Sequence, residues 1–393
     1  MHDLLLLALL LAAVAIGWWL GRRDRQSTAD QPGQHTLSRD YFVGLNYLLN
    51  EQPDRAIETF VAALEVNSDT IETHIALGNL FRSRGETDRA VKIHQNLLAR
   101  PALTPAQGSL VQIELSRDFL NLGLLDRAEK LLENLINNGG DESQRQQAKL
   151  LLVDLLEREK EWQAALDVAQ PSLIRQYDNI QRAAAHWLCE LAERDLESAS
   201  PSLARKKLRQ ALSIDGHCVR ATLLLARMEH DTGHYKAELK LLKRVPDQDP
   251  GSAALILEPL RDAYRLLNDE EGLEKALQKL NEKVPMTSTV IMLAECVQRR
   301  AGHQEAAELI QTQMERAPSL RGLDYLLQLF QKDATNEEQR TLATLHQHSR
   351  ALLDARPRFR CGQCGFSGTE LHWQCPSCRQ WGTTRPMTGR KSD

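Results

Sequence analysis

Four cysteines near the end of this chain have a spacing that can do chemistry: Cys361-x2-Cys364-x10-Cys375-x2-Cys378. Two CxxC pairs can set four thiolates at the corners of a tetrahedron, the way structural zinc is held. Either pair alone would also suit a redox dithiol. Both together favour a metal, with zinc first and iron as the alternative, since iron accepts the same four thiolates. Gly362 and Gly365 let the chain turn tightly around the first pair, and Pro376 lies inside the second. Phe359, Phe366, Trp373 and Trp381 crowd into the same stretch of a chain that is only 5% aromatic. A segment of about 30 residues is too small to build a core unaided, so ligation must supply much of its folding free energy. His372, between the pairs, is surplus to a completed four-thiolate site and is assigned a supporting or surface position.

Elsewhere the residues that do catalysis do not assemble. The chain has no phosphate-cradling Gly-rich loop, no GxSxG and no HExxH. His346 and His348 are two apart, the wrong spacing to share a helix face. Cys189, Cys218 and Cys296 fall inside helical patterns and are expected as buried packing residues. The sequence therefore reads as a binding or structural protein, not an enzyme. Seven cysteines, four of them in a reduced metal site, fit a reducing compartment.

The elements that carry the metal segment begin at the other end of the chain. Leu4 to Leu20 is uncharged and mostly Leu, Ala, Val and Ile. As a helix it spans about 25 Å, close to a bilayer's hydrocarbon core. Trp18 and Trp19 close the run and Arg22, Arg23 and Arg25 follow it, which places the remainder of the chain in the cytoplasm. A cleaved signal peptide is the rival, with Ala13-Val14-Ala15 as its small-x-small site. Asp3 stands where such a peptide wants Lys or Arg, which favours an anchor. Residues 1–20 are thus read as a transmembrane anchor and 21–36 as a polar linker with Pro32 and Gly33.

Residues 37–355 are helix-rich and repetitive. Gly44 and Gly78 are 34 apart, as are Ala56 and Ala90. His74-x2-Leu77-Gly78-x2-Phe81 with Ala90 follows the tetratricopeptide pattern, in which small residues let two antiparallel helices approach and large ones fill the space to the next pair. Weaker units continue through Ser116–Ala128, Trp162–Ala165, Leu188–Ala211 and Ala226–Pro250, then around Ala263–Ala276, Ala294–Pro318 and 321–355, eight or nine in all. An ordinary alanine-rich bundle is the competing fold. The expected architecture is all-α: a tetratricopeptide α-solenoid with an N-terminal transmembrane helix and a C-terminal rubredoxin-like metal ribbon at 356–393.

Solenoids of this kind bind proteins on the face lined by the first helix of each unit. Asn79, Arg82, Arg117 and Arg227 fall at such positions and are the candidate partner contacts, with Arg220, His230 and Asp231 nearby. A solvated helix face is the plainer account of each. Net charge is −4, but residues 356–393 alone carry +5 and the rest −9. A basic ribbon beside an acidic body suggests that the two dock. Near-neutral charge together with an anchor argues against nucleic acid as the partner.

These features together carry a resemblance. Gly21-Arg22-Arg23 after the anchor, Leu37-Ser38-Arg39-Asp40-Tyr41, the run Gly78-Asn79-Leu80-Phe81-Arg82-Ser83-Arg84-Gly85-Glu86 with Asp88-Arg89-Ala90, and the ribbon from Arg360-Cys361 to Cys378-Arg379-x-Trp381 are similar to the lipopolysaccharide assembly protein B (LapB, YciM) family. The resemblance implies a non-enzymatic adaptor in the bacterial inner membrane. Its expected partners are the membrane protease FtsH, the lipid A deacetylase LpxC, whose degradation it promotes, and the antagonist YejM (PbgA). A scaffold that gathers lipopolysaccharide enzymes without controlling proteolysis is the alternative. Between about 140 and 350 only the repeat pattern is recognisable, so specific contacts do not carry over there.

Overall fold

A computed structural model describes residues 71–387, apart from 101, 102, 334 and 335, together with a few positions between 42 and 59. The apolar run 4–20 and the linker 21–36 lie outside the described residues. Among the described residues no helix is long and apolar enough to cross a membrane. The chain divides into two compact units, 1–131 and 132–393.

The described helices of the first unit begin with α1 (Ile71–Ser83), α2 (Thr87–Leu98) and α3 (Pro105–Leu122), and α4 (Leu125–Asn138) follows. Ala56 and Ala90, the alanines one period apart, are both fully buried and share a cluster with Leu77 and Phe81. Gly78 is explained by the same packing. A Cβ there would sit 2.3 Å from the ring of His94 on α2, so only glycine lets the helices close. The α3 start is set by a capping box, with Thr104 accepting from the Gln107 amide and Gln107 reaching back to the Thr104 amide.

The second unit contains α5 (Glu142–Glu159), α6 (Trp162–Ala169), α7 (Ser172–Gln176), α8 (Asp178–Glu197), α9 (Pro201–Ile214), α10 (Val219–Asp231) and α11 (Tyr235–Leu242). After these come α12 (Val245–Gln248), a 3-10 turn (Pro250–Ile256), α13 (Leu257–Leu266), α14 (Glu270–Lys283), α15 (Thr287–Arg300) and α16 (His303–Arg316). The helical run closes with α17 (Leu320–Asp333) and α18 (Asn336–Asp354). Apart from the short α7 and α12 they pack as consecutive pairs, and one apolar cluster runs from Val219 to Cys296. Cys189, Cys218 and Cys296 are buried as expected, Cys189 and Cys296 within helices, but Cys218 outside one, at the residue that precedes α10.

One backbone feature keeps the repeat in register. In six of the described units the turn between the two helices passes through a left-handed residue: Gly85, Gly123, Lys160, Ala199, Gly233 and Asn268. That residue satisfies the last carbonyls of the first helix; the Glu86 amide, for example, donates to the Phe81 carbonyl at 2.9 Å.

The chain ends in a small antiparallel sheet of β1 (Phe359–Cys361), β2 (Ser367–Gly368) and β3 (Thr384–Pro386), in the order β2-β1-β3. Phe359 pairs with Gly368 on one side and Pro386 on the other.

Candidate metal centre

Two knuckles of similar construction build the site. In each, the amide four residues after the first cysteine donates back to its carbonyl: Gly365 to Cys361 at 3.1 Å and Arg379 to Cys375 at 2.8 Å. Each closes in the left-handed region, at φ 80° for Gly365 and 58° for Arg379. The β1–β3 pairing and the Gln374–Trp381 bridge then bring the knuckles face to face.

The four sulfurs of Cys361, Cys364, Cys375 and Cys378 lie within 4.8 Å of one another, with Cys361–Cys378 and Cys364–Cys375 both at 3.7 Å. A tetrahedral ion with metal–sulfur bonds of about 2.3 Å needs sulfur–sulfur edges of about 3.8 Å, so the cage fits a metal of that size. Cys361 and Cys375 are buried, whereas Cys364 is exposed. Burial raises the Cys361 thiol, but the Thr383 hydroxyl and the Cys364 and Gln363 amides outweigh it and bring it to about 6. For Cys378 the Gln380 amide lowers the pKa, yet burial and three neighbouring sulfurs push it up to about 12. Four thiols so close cannot all ionise unaided, and a divalent cation removes that conflict. His372 packs edge-on near Phe366, outside the sulfur cage.

The ribbon is seated on the helical repeats of its own unit. Trp381 is 5% exposed. Its indole meets Trp162 edge to face at 5.8 Å and stacks on His186 at 5.2 Å. Glu157 on α5 is the polar centre: one oxygen, Oε1, accepts from Trp381 Nε1 at 2.5 Å and from Trp187 Nε1 at 2.7 Å. Burial raises the Glu157 pKa, a shift the two indole donors oppose. Burial, with Arg220 and Arg182 adding to it, pushes His186 down to about 3, so the stacked ring is neutral. Gly382 turns at φ 63° directly over His186, leaving 3.0 Å between a notional Cβ and Nε2. Ion pairs flank the seam, Arg379 with Asp154 at 3.3 Å and Arg385 with Asp249 at 3.0 Å. The basic ribbon therefore docks on acids of the body, as the charge asymmetry suggested. The sequence offered no sign of Glu157 or His186, each an ordinary helical residue until the ribbon covers it.

The candidate partner contacts fare differently. Arg82 does not project freely as expected: its side chain is 13% exposed and bonded to Glu114 at 2.6 Å, Asp118 at 2.8 Å and Asn79 at 2.6 Å. Asp118, fully buried, also binds His94 at 2.5 Å. Arg82 thus knits α1 to α3, because two acids one repeat further on reach back to it, while Asn79 accepts from its guanidinium within α1. Arg220 is likewise buried, between Glu190 and Glu193. Arg117 is 40% exposed and bonds Glu114 at 3.3 Å, while Arg227 is exposed. Arg117 belongs to the first unit and Arg227 to the second.

Comparison with known proteins accords with this construction. Residues 359–386 match the rubredoxin metal binding domain, and residues 73–107, 113–178 and 189–253 match tetratricopeptide repeats. Lipopolysaccharide assembly protein B of Escherichia coli (strain K12) is 35% identical over 387 residues, covering 98% of each chain. The protein of that name from Haemophilus influenzae (strain Rd) is 34% identical over 402 residues, covering 100% of each. Among solved structures, the P58(IPK) TPR domain aligns with 80% of this chain and 98% of its own at 15% identity and a TM-score of 0.26. On the full-length identities, the chain belongs to the lipopolysaccharide assembly protein B family.

Proposed function

We propose that this chain is an inner-membrane adaptor that restrains lipopolysaccharide synthesis by delivering the lipid A deacetylase LpxC to the protease FtsH, with YejM (PbgA) as antagonist. The observation that carries the reading is the full-length identity to proteins named lipopolysaccharide assembly protein B, with repeats and ribbon in the same order. The physics is consistent with it. An anchor at residues 4–20 confines the chain to the membrane that holds the protease, which raises effective concentration without new contacts. The helical repeats offer protein-binding surface, to which Arg117 and Arg227 remain candidates. The metal is zinc in this reading: a closed four-thiolate cage without an open position suits a redox-inert structural ion. Its role is architectural, holding Trp373 and Trp381 against the repeats.

The word "assembly" in the relatives' name favours a second reading, a scaffold that recruits biosynthetic enzymes. One experiment separates the two. The deacetylase half-life is followed after translation is stopped, with and without this protein and with and without the protease. The adaptor reading expects a shorter half-life only when both are present. An unchanged half-life leaves the scaffold.

A further inference from the structure

We infer that the C-terminal end of the repeat array carries a docking groove for an acidic, apolar peptide segment of a partner protein. A cavity of about 510 Å³ opens there, within the size range of ligand sites. Its floor is apolar and comes from the first helices of three successive units: Leu257 on α13, Ile291 and Met292 on α15, and Tyr325 on α17. Its rim is cationic. Arg350 lies in the last turns of α18, and Arg356 and Arg358 lie on the segment that leads into the ribbon.

These three arginines share one rim. All are exposed, and none has a hydrogen bond or ion pair from its side chain among the described residues. The acids around the groove are mostly engaged. Glu258 and Glu295 face Arg261, and Asp324 is held by Ser349 and by His346 at 3.5 Å. Asp354 alone is left, against three free guanidinium groups. Arg82 and Arg220 are neutralised by acids of neighbouring helices, whereas this rim sets three unpaired guanidinium groups side by side above the apolar floor.

That combination selects the ligand. A guanidinium binds a carboxylate through two parallel hydrogen bonds, and a low-dielectric wall beside it focuses the field. The floor takes apolar side chains between the acidic ones. A nucleic acid is disfavoured, because the buried Tyr325 offers its bases no stacking face. The inference stands apart from the adaptor reading, since a scaffold would use the groove equally.

The test uses the full chain in detergent and a displayed library of decapeptides randomised over Asp, Glu, Leu and Phe, with a matched library in which Asn and Gln replace the acids. The acidic library should be enriched. The selected peptides should bind roughly tenfold more weakly to the Arg350→Gln/Arg356→Gln/Arg358→Gln variant, and binding should weaken with salt. Metal content and thermal unfolding should not change, because the three side chains hold nothing in the fold. Equal enrichment of the amide library, no enrichment, or binding indifferent to the triple substitution would overturn the proposal. Soluble short-chain phosphatidylglycerol serves as a further arm. If it binds through these arginines while no acidic peptide does, the rim is a lipid-phosphate site and the peptide groove is refuted.

Discussion

The charged knot of residues 71–131 and the indole-lined seam of residues 132–393 use similar materials at very different range. Arg82 finds its acids 32 and 36 residues away, about one repeat. Glu157 finds Trp187 at 30 residues but Trp381 at 224. A one-repeat contact forms as soon as neighbouring helices stack. The long-range contact forms only if a small sheet, too short to fold alone, is already held together. The knot should therefore depend on local charge balance, and the seam on metal.

The largest expected effect breaks the seam at its source. Cys364→Ser should reduce bound metal from about one ion per chain to almost none. Trp373 and Trp381 should become solvent-exposed, and trypsin should cut after Arg358 and Arg360. Elemental analysis and limited proteolysis read both. A ribbon that stays protected without metal would mean that the helices, not the ion, fold it.

Next comes the knot. Arg82→Ala removes the guanidinium from the fully buried Asp118, which keeps only His94, and from the nearly buried Glu114, which keeps only Arg117. Breaking one partner of a buried charge network costs about 3–5 kcal/mol. Amide exchange in α1–α3 should accelerate accordingly, while the ribbon keeps its protection. If exchange in α1–α3 is unaltered, Arg82 is the free surface residue that its repeat position suggested.

A smaller change tests the seam without touching the metal. Trp381→Phe keeps most of the packing but removes the donor to the buried Glu157 carboxylate. A lost hydrogen bond to a charged group is worth about 1.5–3 kcal/mol. Ribbon amides should exchange faster at full metal content. The same rates would assign the seam's stability to ring stacking alone.

The smallest effect is a pH dependence. His186 titrates near 6.5 when unfolded and near 3 in the fold, so the unfolded state takes up the proton first. Its contribution is complete above pH 6.5 and is lost as pH falls from there towards 3, at about 1 kcal/mol per unit. Replacing His186 with Asn should flatten the stability profile between pH 6.5 and 5.5. A slope identical to wild type would place the acid sensitivity in other groups.

How much of this was legible in the chain depends on where each signal resides. The metal ligands could be read directly, because thiolate spacing is a local constraint. The repeats were clear at the unit that turns at Gly85, weaker at those turning at Gly123 and Gly233, and without a glycine to mark the turn where Lys160, Ala199 or Asn268 adopts the same left-handed backbone. The partner candidates were misjudged where an acid one repeat away consumes the arginine, as Glu114 and Asp118 do with Arg82. Helical position says which way a residue faces, but not whether the next unit answers it. Arg350, Arg356 and Arg358 were passed over for the converse reason, since nothing in the sequence shows that they go unanswered. Glu157 and His186 were invisible because their role exists only once the ribbon is seated on them.

The account stands or falls on whether this chain speeds removal of the deacetylase, and whether the seated ribbon is required for that. Purified protease, deacetylase and full chain reconstituted in one bilayer with ATP give the most direct measurement, the rate at which the deacetylase disappears. The account predicts faster loss with the wild-type chain and no acceleration with Cys364→Ser, whose ribbon cannot hold its metal. A rate that is the same with and without the chain, in the presence of active protease, would contradict it.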